Sequence, residues 1–568
     1  MSVTELKPPR FVLRSDVVVE PLVQRWYAWG HLIAPMTAAL NVARRHLPMM
    51  RSYVASPAAH QALAAKPELR GGPFLDLASD RSAEVQRLID ETHRSQAPLL
   101  ELAEAIAAAW KLLRDRADGR GLSALYRELP DALRGLVELV YTPAGGPDLR
   151  PIEALLYQSR FADDSAQSAL LRRLRGDQRS FALSTPRLDE PGAIHLRKPF
   201  RHPAYDLLGR LRSQPMTMAE IVDGLGLAQA DVATLQELLV PAPAGSGQRP
   251  ASETARRRDT ARWRYCGHAC VLVESPAGVS VLLDPVLAYD SGAQPERFTF
   301  ADLPAHIDYA VLTHNHQDHV MLETLLALRW KIGTIVVPRS GGSLVDPSLA
   351  RALRSIGFQR VVELDSLEDL VDRDVRITAL PFLGEHADLD IRTKAAWLVR
   401  ANGFGSLFAA DSNNLDPHLY DHLSKSIGSV DQLFIGMECV GAPMSWLYGC
   451  LLPDPIPRDH DQSRRLNGSD AERGMALVQS LGARAVRVYA MGAEPWLSFI
   501  SSIDPGASTV PRQNADALIQ ACRARGIEAE LLYGRAERFA RTSGAATAAT
   551  GAMGATGADE DGEIELTI

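Results

Sequence analysis

Tyr309-Ala-Val-Leu-Thr-His-Asn-His-Gln-Asp-His319 decides how the rest of this 568-residue chain is read. The run Tyr309 to Leu312 is short and apolar, the makeup of a buried strand. It runs into a polar turn that carries His314, His316, Asp318 and His319 within six positions. In an extended segment residues two apart point the same way, so His314 and His316 can face one ion. Asp318 and His319, just past the turn, can face a second. Packing alone gives no reason to crowd three imidazoles and a carboxylate, and protonated imidazoles would repel one another. The segment reads as a metal site at the mouth of a strand.

Around it the texture is strand, turn, helix. Short β-rich runs fall at Ala269–Glu274, Val279–Asp284, Thr334–Pro338, Val361–Leu364, Val375–Leu380 and Ala396–Arg400. They continue at Ser406–Asp411, Gln432–Glu438, Ala485–Ala490 and Glu528–Tyr533. Helical patterns lie between them at Leu322–Trp330, Ser348–Ile356, Ala471–Leu481 and Ala515–Arg525. Such an order predicts packed sheets with helices outside, an α/β domain over 263–541. Upstream, residues 1–240 read as a mostly helical domain, with patterns at Leu22–Leu47, Ala83–Thr92, Leu99–Leu113, Pro151–Tyr157 and Ser165–Leu174. Residues 241–262 hold almost no large apolar side chain and are read as a linker, and 542–568 as a disordered tail.

Composition narrows the function. Hydrophobic residues at 46% and charged residues at 23% describe a folded protein, and a net charge of −8 supplies no global basic field for nucleic acid. Five cysteines in so long a chain do not make a disulfide framework. No signal peptide or membrane span is evident in the sequence, so a cytoplasmic protein is expected. Met216–Leu238 reads helix, turn, helix, yet its second helix has no basic residue for phosphates, which favours a packed pair. Cys266 and Cys270 lack a partner pair for a zinc ribbon and are expected to pack as small hydrophobes.

The His-x-His-x-Asp-His pattern resembles the metallo-β-lactamase fold, an αββα sandwich that holds one or two metals. Gly267-His-Ala-Cys-Val-Leu-Val-Glu274 followed by Val281-Leu-Leu-Asp-Pro285 is similar to the hairpin that opens such domains. Asp411 sits where that family keeps its metal-bridging carboxylate. Hydrolases of the superfamily add two further histidines, but here the earlier position offers adjacent Glu385 and His386, and the later one Glu438. No histidine follows His460, and His418 and His422, four apart, fit an exposed helix face. Hard anionic oxygens favour iron or manganese over zinc, which has no redox chemistry.

With its helical domain first, the chain resembles the diiron amino acid β-hydroxylases of the chloramphenicol pathway and of nonribosomal peptide clusters. That resemblance implies two oxo- or hydroxo-bridged iron ions. His314, His316 and Glu385 would bind one, Asp318, His319 and Glu438 the other, with Asp411 bridging. It implies O2 as co-substrate, an aminoacyl substrate tethered to a peptidyl carrier protein, and no catalytic side chain beyond the ligands. The sequence has no dinucleotide-binding fingerprint, so an external electron-transfer protein is expected. The N-terminal domain is expected to serve dimerisation or carrier docking, making a homodimer. Two alternatives stand beside this reading: a dizinc hydrolase of the same fold, which would use His386, and a non-catalytic assembly protein.

Overall fold

Strand Cys270–Glu274 is apolar at almost every position because it is buried on both faces. Val271 and Val273 point into a core between two sheets, while Cys270 and Leu272 point outward into a second cluster, as period-two alternation requires. The computed structural model describes residues 8–66, 69–242, 260–501, 506, 508–540 and 565–567.

The first sheet has seven strands in the order Val361–Leu364, Ile332–Pro338, Ile307–Val311, Ser280–Leu283, Cys270–Glu274, Arg262–Gly267 and Ala536–Phe539. The second runs from Glu528–Leu531 through Ala485–Val488, Gln432–Ile435, Phe404–Phe408, Ala396–Ala401 and Val375–Leu380 to Asp369–Asp372 and Glu565–Thr567. Trp263, Val281 and Val311 of one sheet meet Ile377, Trp397 and Phe434 of the other. Helices His418–Ile427, Ala471–Leu481 and Val510–Arg523 cover the second sheet outside, and Leu322–Leu328 and Leu349–Ser355 cover the first. This is the four-layer αββα sandwich the sequence led us to expect. Cys266 and Cys270 do pack as small hydrophobes in one cluster, but from adjacent strands joined at a tight turn.

The N-terminal half is largely helical. Pro35–Asn41 continues through a π-turn, Val42–His46, into Leu47–Ala55, and Ser82–Ser95 and Ala97–Arg116 pack beside it. One segment read as helix is a strand: Gln167–Arg173, within Ser165–Leu174, pairs along its whole length with Val17–Val23. A seven-residue ladder against a β-branched run outweighs the local helix propensity of Ala169, Leu170 and Leu171. Leu22–Leu47 becomes helical only from Gly30, and within Pro151–Tyr157 only Glu153–Leu156 is helix, because Pro147–Pro151 pairs with Val137–Tyr141. The helix pair Met218–Leu225 and Val232–Leu238 buries Ile221, Leu225, Leu235 and Leu238.

A single apolar cluster runs from Leu40, Leu102 and Ile106 of this half to Leu325, Ile335 and Leu353 on the outside of the first sheet. Buried charges cross the same seam. Arg179 pairs with Glu20 at 2.7 Å and with Glu323 at 2.5 Å, and the Tyr27 hydroxyl donates to Glu323 at 3.1 Å. Glu323 begins the helix that follows the histidine-rich loop, so this network fixes one end of that loop. Most of the expected linker, 243–259, and most of the expected tail lie outside the described residues; Glu565–Thr567 of the tail pairs with Asp369–Val371. Among the described residues, no helix is long and apolar enough to cross a membrane.

Candidate metal centre

Beyond strand Ile307–Val311, the loop carrying the histidines is tied down by one buried carboxylate. Asp284 accepts from the Thr313 amide and the Thr313 hydroxyl, both at 2.7 Å. It also takes Nδ1–H of His319 at 2.8 Å, which leaves His319 Nε2 facing Asp411 Oδ2 at 3.0 Å. Because the Thr313 hydroxyl gives its proton to Asp284, it can only accept from His314 Nδ1, 3.0 Å away. His314 Nε2 is thereby the unprotonated nitrogen, and it faces His316 Nδ1 at 3.2 Å and Asp411 Oδ2 at 3.8 Å. His316 turns Nδ1 to Glu385 Oε1 at 2.8 Å and Nε2 to the Tyr448 hydroxyl at 2.9 Å. Each ring thus points one nitrogen inward and anchors the other, the usual arrangement around a metal.

Glu385 and His386, adjacent in sequence, do not lie on a strand. The strand ends at Leu380, and both lie in a turn where Gly384 and Glu385 have φ of +76° and +67°. A Cβ at position 384 would lie 2.5 Å from the Asn413 Cβ, so glycine permits the close approach. A left-handed glutamate costs roughly 1–2 kcal/mol. Lys394 offsets that by donating to the Gly384 carbonyl at 3.1 Å, and Glu385 N–H donates to the Asn467 carbonyl at 3.3 Å. The turn sends Glu385 to His316 and sets His386 beside the His316 ring, with centroids 4.6 Å apart. Glu438 lies three residues past its strand, Gln432–Ile435, rather than at its end.

Three groups of donor atoms each lie within 4.8 Å of one another: His314, His316 and Glu385; His314, His319 and Asp411; and His268, Asp318 and His319. Six of the seven residues expected from the sequence are in these groups, and Asp411 stands between the two ends. The seventh, Glu438, faces the same cavity as Asp318, Glu385 and Asp411. His386 is in none of the groups.

The electrostatics are those of a cation site. Burial and the charges of Asp411, Glu385 and Asp318 push the Glu438 carboxyl up to about 8. Burial likewise raises Glu385, although His316 opposes it. Burial penalises the Asp318 charge too, but the His268 contact and His319 outweigh it and hold Asp318 well below the usual range. Burial and the neighbouring rings keep His314 and His386 neutral. One oxygen each of Glu385, Asp411 and Glu438 is buried without a hydrogen-bond partner. Crowded carboxylates with unpartnered oxygens beside unprotonated imidazole nitrogens fit two divalent or trivalent cations, which would satisfy those oxygens and relieve their repulsion. Oxygen-rich ligation suits iron.

The sequence reading missed three contributors. Asp284 and His268 lie in the opening hairpin, where both were quoted but given no role. His268 Nδ1 accepts from the Gly492 amide at 3.2 Å, so its proton sits on Nε2, 3.4 Å from Asp318 Oδ2. Tyr448 carried no sequence signal.

Residues 12–243 match the family described as the diiron non-heme beta-hydroxylase N-terminal domain, and 280–485 match the beta-lactamase superfamily domain. The 4-amino-L-phenylalanyl-CmlP-peptidyl-carrier-protein 3-hydroxylase of Streptomyces venezuelae is 39% identical over 531 residues, 93% of this chain and 99% of its own. The crystal structure of CmlA, a diiron beta-hydroxylase from Streptomyces venezuelae, superposes with a TM-score of 0.86 at 37% identity, covering 94% of this chain and 100% of that one. A metal-dependent hydrolase of Myxococcus xanthus is 30% identical over 100 residues, 18% of this chain and 33% of its own.

Proposed function

This chain belongs to the diiron non-heme β-hydroxylase family, and from that premise we propose that it hydroxylates the β-carbon of an amino acid held as a thioester on a peptidyl carrier protein. His314, His316 and Glu385 would hold one iron and Asp318, His319 and Glu438 the other, with Asp411 available to both sets. The observation that carries this assignment is Asp411 Oδ2, 3.0 Å from His319 and 3.8 Å from His314, with Asp318, Glu385 and Glu438 lining the same cavity. When bound, the iron pair supplies the redox chemistry by which O2 and two electrons convert C–H to C–OH, the second oxygen leaving as water. The electrons come from a separate electron-transfer protein.

The protein's own part is positioning and exclusion of water. A cavity of about 560 Å³ opens on Asp318, Glu385, Asp411 and Glu438, and Leu447, Leu466 and Ile500 line it with apolar surface. That volume lies within the ordinary range for a bound small molecule. A phosphopantetheine arm, roughly 18–20 Å when extended on backbone-like bond lengths, carries an aminoacyl group into such a site. Contacts remote from the reacting carbon then supply the binding energy that orients it. A dizinc hydrolase is disfavoured because Glu438 adds negative charge where a neutral ligand would better acidify bound water, and because Glu385 rather than His386 meets His316.

The experiment compares a carrier-bound aminoacyl thioester with the free amino acid, under O2 and reductant. Rapid hydroxylation of the tethered form is expected, with turnover of the free one at least tenfold slower. Equal rates would refute the tether, and full activity with two zincs and no response to reductant would refute the oxygenase.

A further inference from the structure

Tyr448 touches His316 from a helix that could not stand alone. Met444–Tyr448 is five residues long, too short to be stable without tertiary support, and much of that support comes from the N-terminal half. Arg45 donates to the carbonyls of Trp446 at 2.7 Å and Leu447 at 2.9 Å. Arg44 donates to the Leu452 carbonyl at 2.7 Å, and the Cys450 thiol meets Asn41 Oδ1 at 3.4 Å. Trp446 donates in return to the Gly71 carbonyl at 2.9 Å. Arg44 and Arg45 both sit in the π-turn Val42–His46. A wider turn of this kind interrupts the regular helix and is frequent at functional sites.

The same half also presses on the histidine loop directly. A Cβ on Gly30 would lie 2.5 Å from Oδ1 of Asn315, the residue between His314 and His316, so a side chain there would have to displace the Asn315 amide. His31, stacked on Trp29, stands 6.1 Å from the Tyr448 ring. Tyr448 itself is 2% exposed, and among the described residues its hydroxyl is the hydrogen-bond partner of His316 Nε2.

We propose that Tyr448 is a positioning residue for His316, and that the N-terminal half acts at the metal centre by holding Tyr448 there through Arg44, Arg45 and Asn41. This rests on the reading that His316 holds an iron. With Nδ1 given to the iron in place of its present contact with Glu385, Nε2 would carry the ring proton and donate it to the Tyr448 hydroxyl, which sets the ring's rotation and raises its basicity as a ligand. This is a task distinct from dimerisation or carrier docking, since it is carried out inside one chain.

The test uses the full-length protein, stripped of metal and titrated with Fe(II), then oxidised for its absorption spectrum and reduction potential. Tyr448→Phe removes only the hydroxyl. One of the two irons is expected to bind about 10-fold more weakly or worse, the range for loss of a ligand's hydrogen-bond partner. The potential and the diferric spectrum shift with it, while circular dichroism stays unchanged. Arg45→Met, which leaves the hydroxyl in place, is expected to move the same quantities less. Wild-type affinity, spectrum and potential in Tyr448→Phe, while His316→Ala loses one iron, would overturn the proposal. Retention of both irons by His316→Ala would instead overturn the ligand reading beneath it. Should Tyr448→Phe not fold, unchanged iron affinity in Arg45→Met is the overturning result.

Discussion

The histidine-rich loop and the π-turn of the N-terminal half both contribute to the candidate metal centre on our proposal, and they do so in opposite ways. The loop works through side-chain chemistry: four metal-competent groups in six positions, each with one nitrogen or oxygen turned inward. The π-turn contributes no donor to the cluster. Arg45 bonds to backbone carbonyls of the short helix that presents Tyr448, and Arg44 to the Leu452 carbonyl just beyond it. The contrast teaches that an active centre can be split between residues that bind and residues that only hold. The two kinds should therefore respond differently to substitution: the first in metal content, the second in affinity, potential or stability.

The sharpest way to break this division is within the binding set. Glu385→Ala should lose or scramble one iron and leave hydroxylation below about 1% of the wild-type rate, since the second metal is required for the reaction. His386→Ala, one residue on, should keep both irons, because its ring packs against His314, His316, Phe382 and Tyr448 and belongs to none of the donor groups. Metal analysis of the two purified variants decides it. Iron loss from His386→Ala with retention in Glu385→Ala would reverse the assignment.

The holding set should show in stability. Arg179→Ala leaves Glu20 and Glu323 with reduced compensation in a buried seam, which costs about 3–5 kcal/mol. Because one apolar cluster spans both halves, denaturant unfolding followed by tryptophan fluorescence and by the iron absorption should fall together in one earlier transition. Two separated transitions would show that the halves fold independently and that the seam carries little.

A smaller effect comes from acidity. Glu438 titrates near 8 in the folded, metal-free protein against roughly 4.3 in an unfolded chain, so the folded state binds that proton more tightly. His319 is raised as well: burial opposes its charge, but Asp411 and Asp284 outweigh it. Both contributions favour folding at low pH and are lost as pH rises. His314 and His386 are lowered by burial and act oppositely, but only up to about 6.5, where the unfolded imidazoles also become neutral. Between pH 6.5 and 8 the metal-free protein should therefore lose stability, while Fe(II) affinity rises as the proton on Glu438 is displaced. Thermal melts and iron titrations at matched ionic strength across that window test the sign. Flat profiles in both would mean that Glu438 does not face the cations.

Much of this was legible before the fold was known, for a physical reason. Metal ligands must be particular residue types at close quarters, so His314, His316, Asp318 and His319 stand out as candidates from spacing alone, whereas Glu385, Asp411 and Glu438 are reached only through the resemblance to known families. Residues that hold rather than bind are not so constrained. Asp284 reads as an ordinary loop aspartate until Thr313 and His319 are seen to share it. Arg45 lies some 400 positions from the helix bearing Tyr448 and reaches it through the backbone carbonyls of Trp446 and Leu447, which leaves no trace in residue type. The Gln167–Arg173 strand was misread for a related reason: its partner, Val17–Val23, lies some 150 residues away, and local spacing cannot register a distant ladder.

The mildest test asks whether holding is general to the N-terminal half or local to the π-turn. Thr217 caps the helix Met218–Leu225, its hydroxyl accepting from Glu220 N–H while the Glu220 carboxylate takes the Thr217 amide. Thr217→Ala removes half of that reciprocal cap and should cost about 1 kcal/mol. Neither residue touches the histidine loop or the helix bearing Tyr448. If holding is local, iron affinity and reduction potential stay at wild-type values while the denaturation midpoint drops slightly. If every loss of stability in this half loosened the irons, Thr217→Ala would weaken Fe(II) binding in proportion, and the special place given to Arg44 and Arg45 would go. Measuring midpoint and affinity on the same preparations separates the cases, because an effect carried by Tyr448 needs no change in global stability and an effect carried by global stability needs no change at Tyr448.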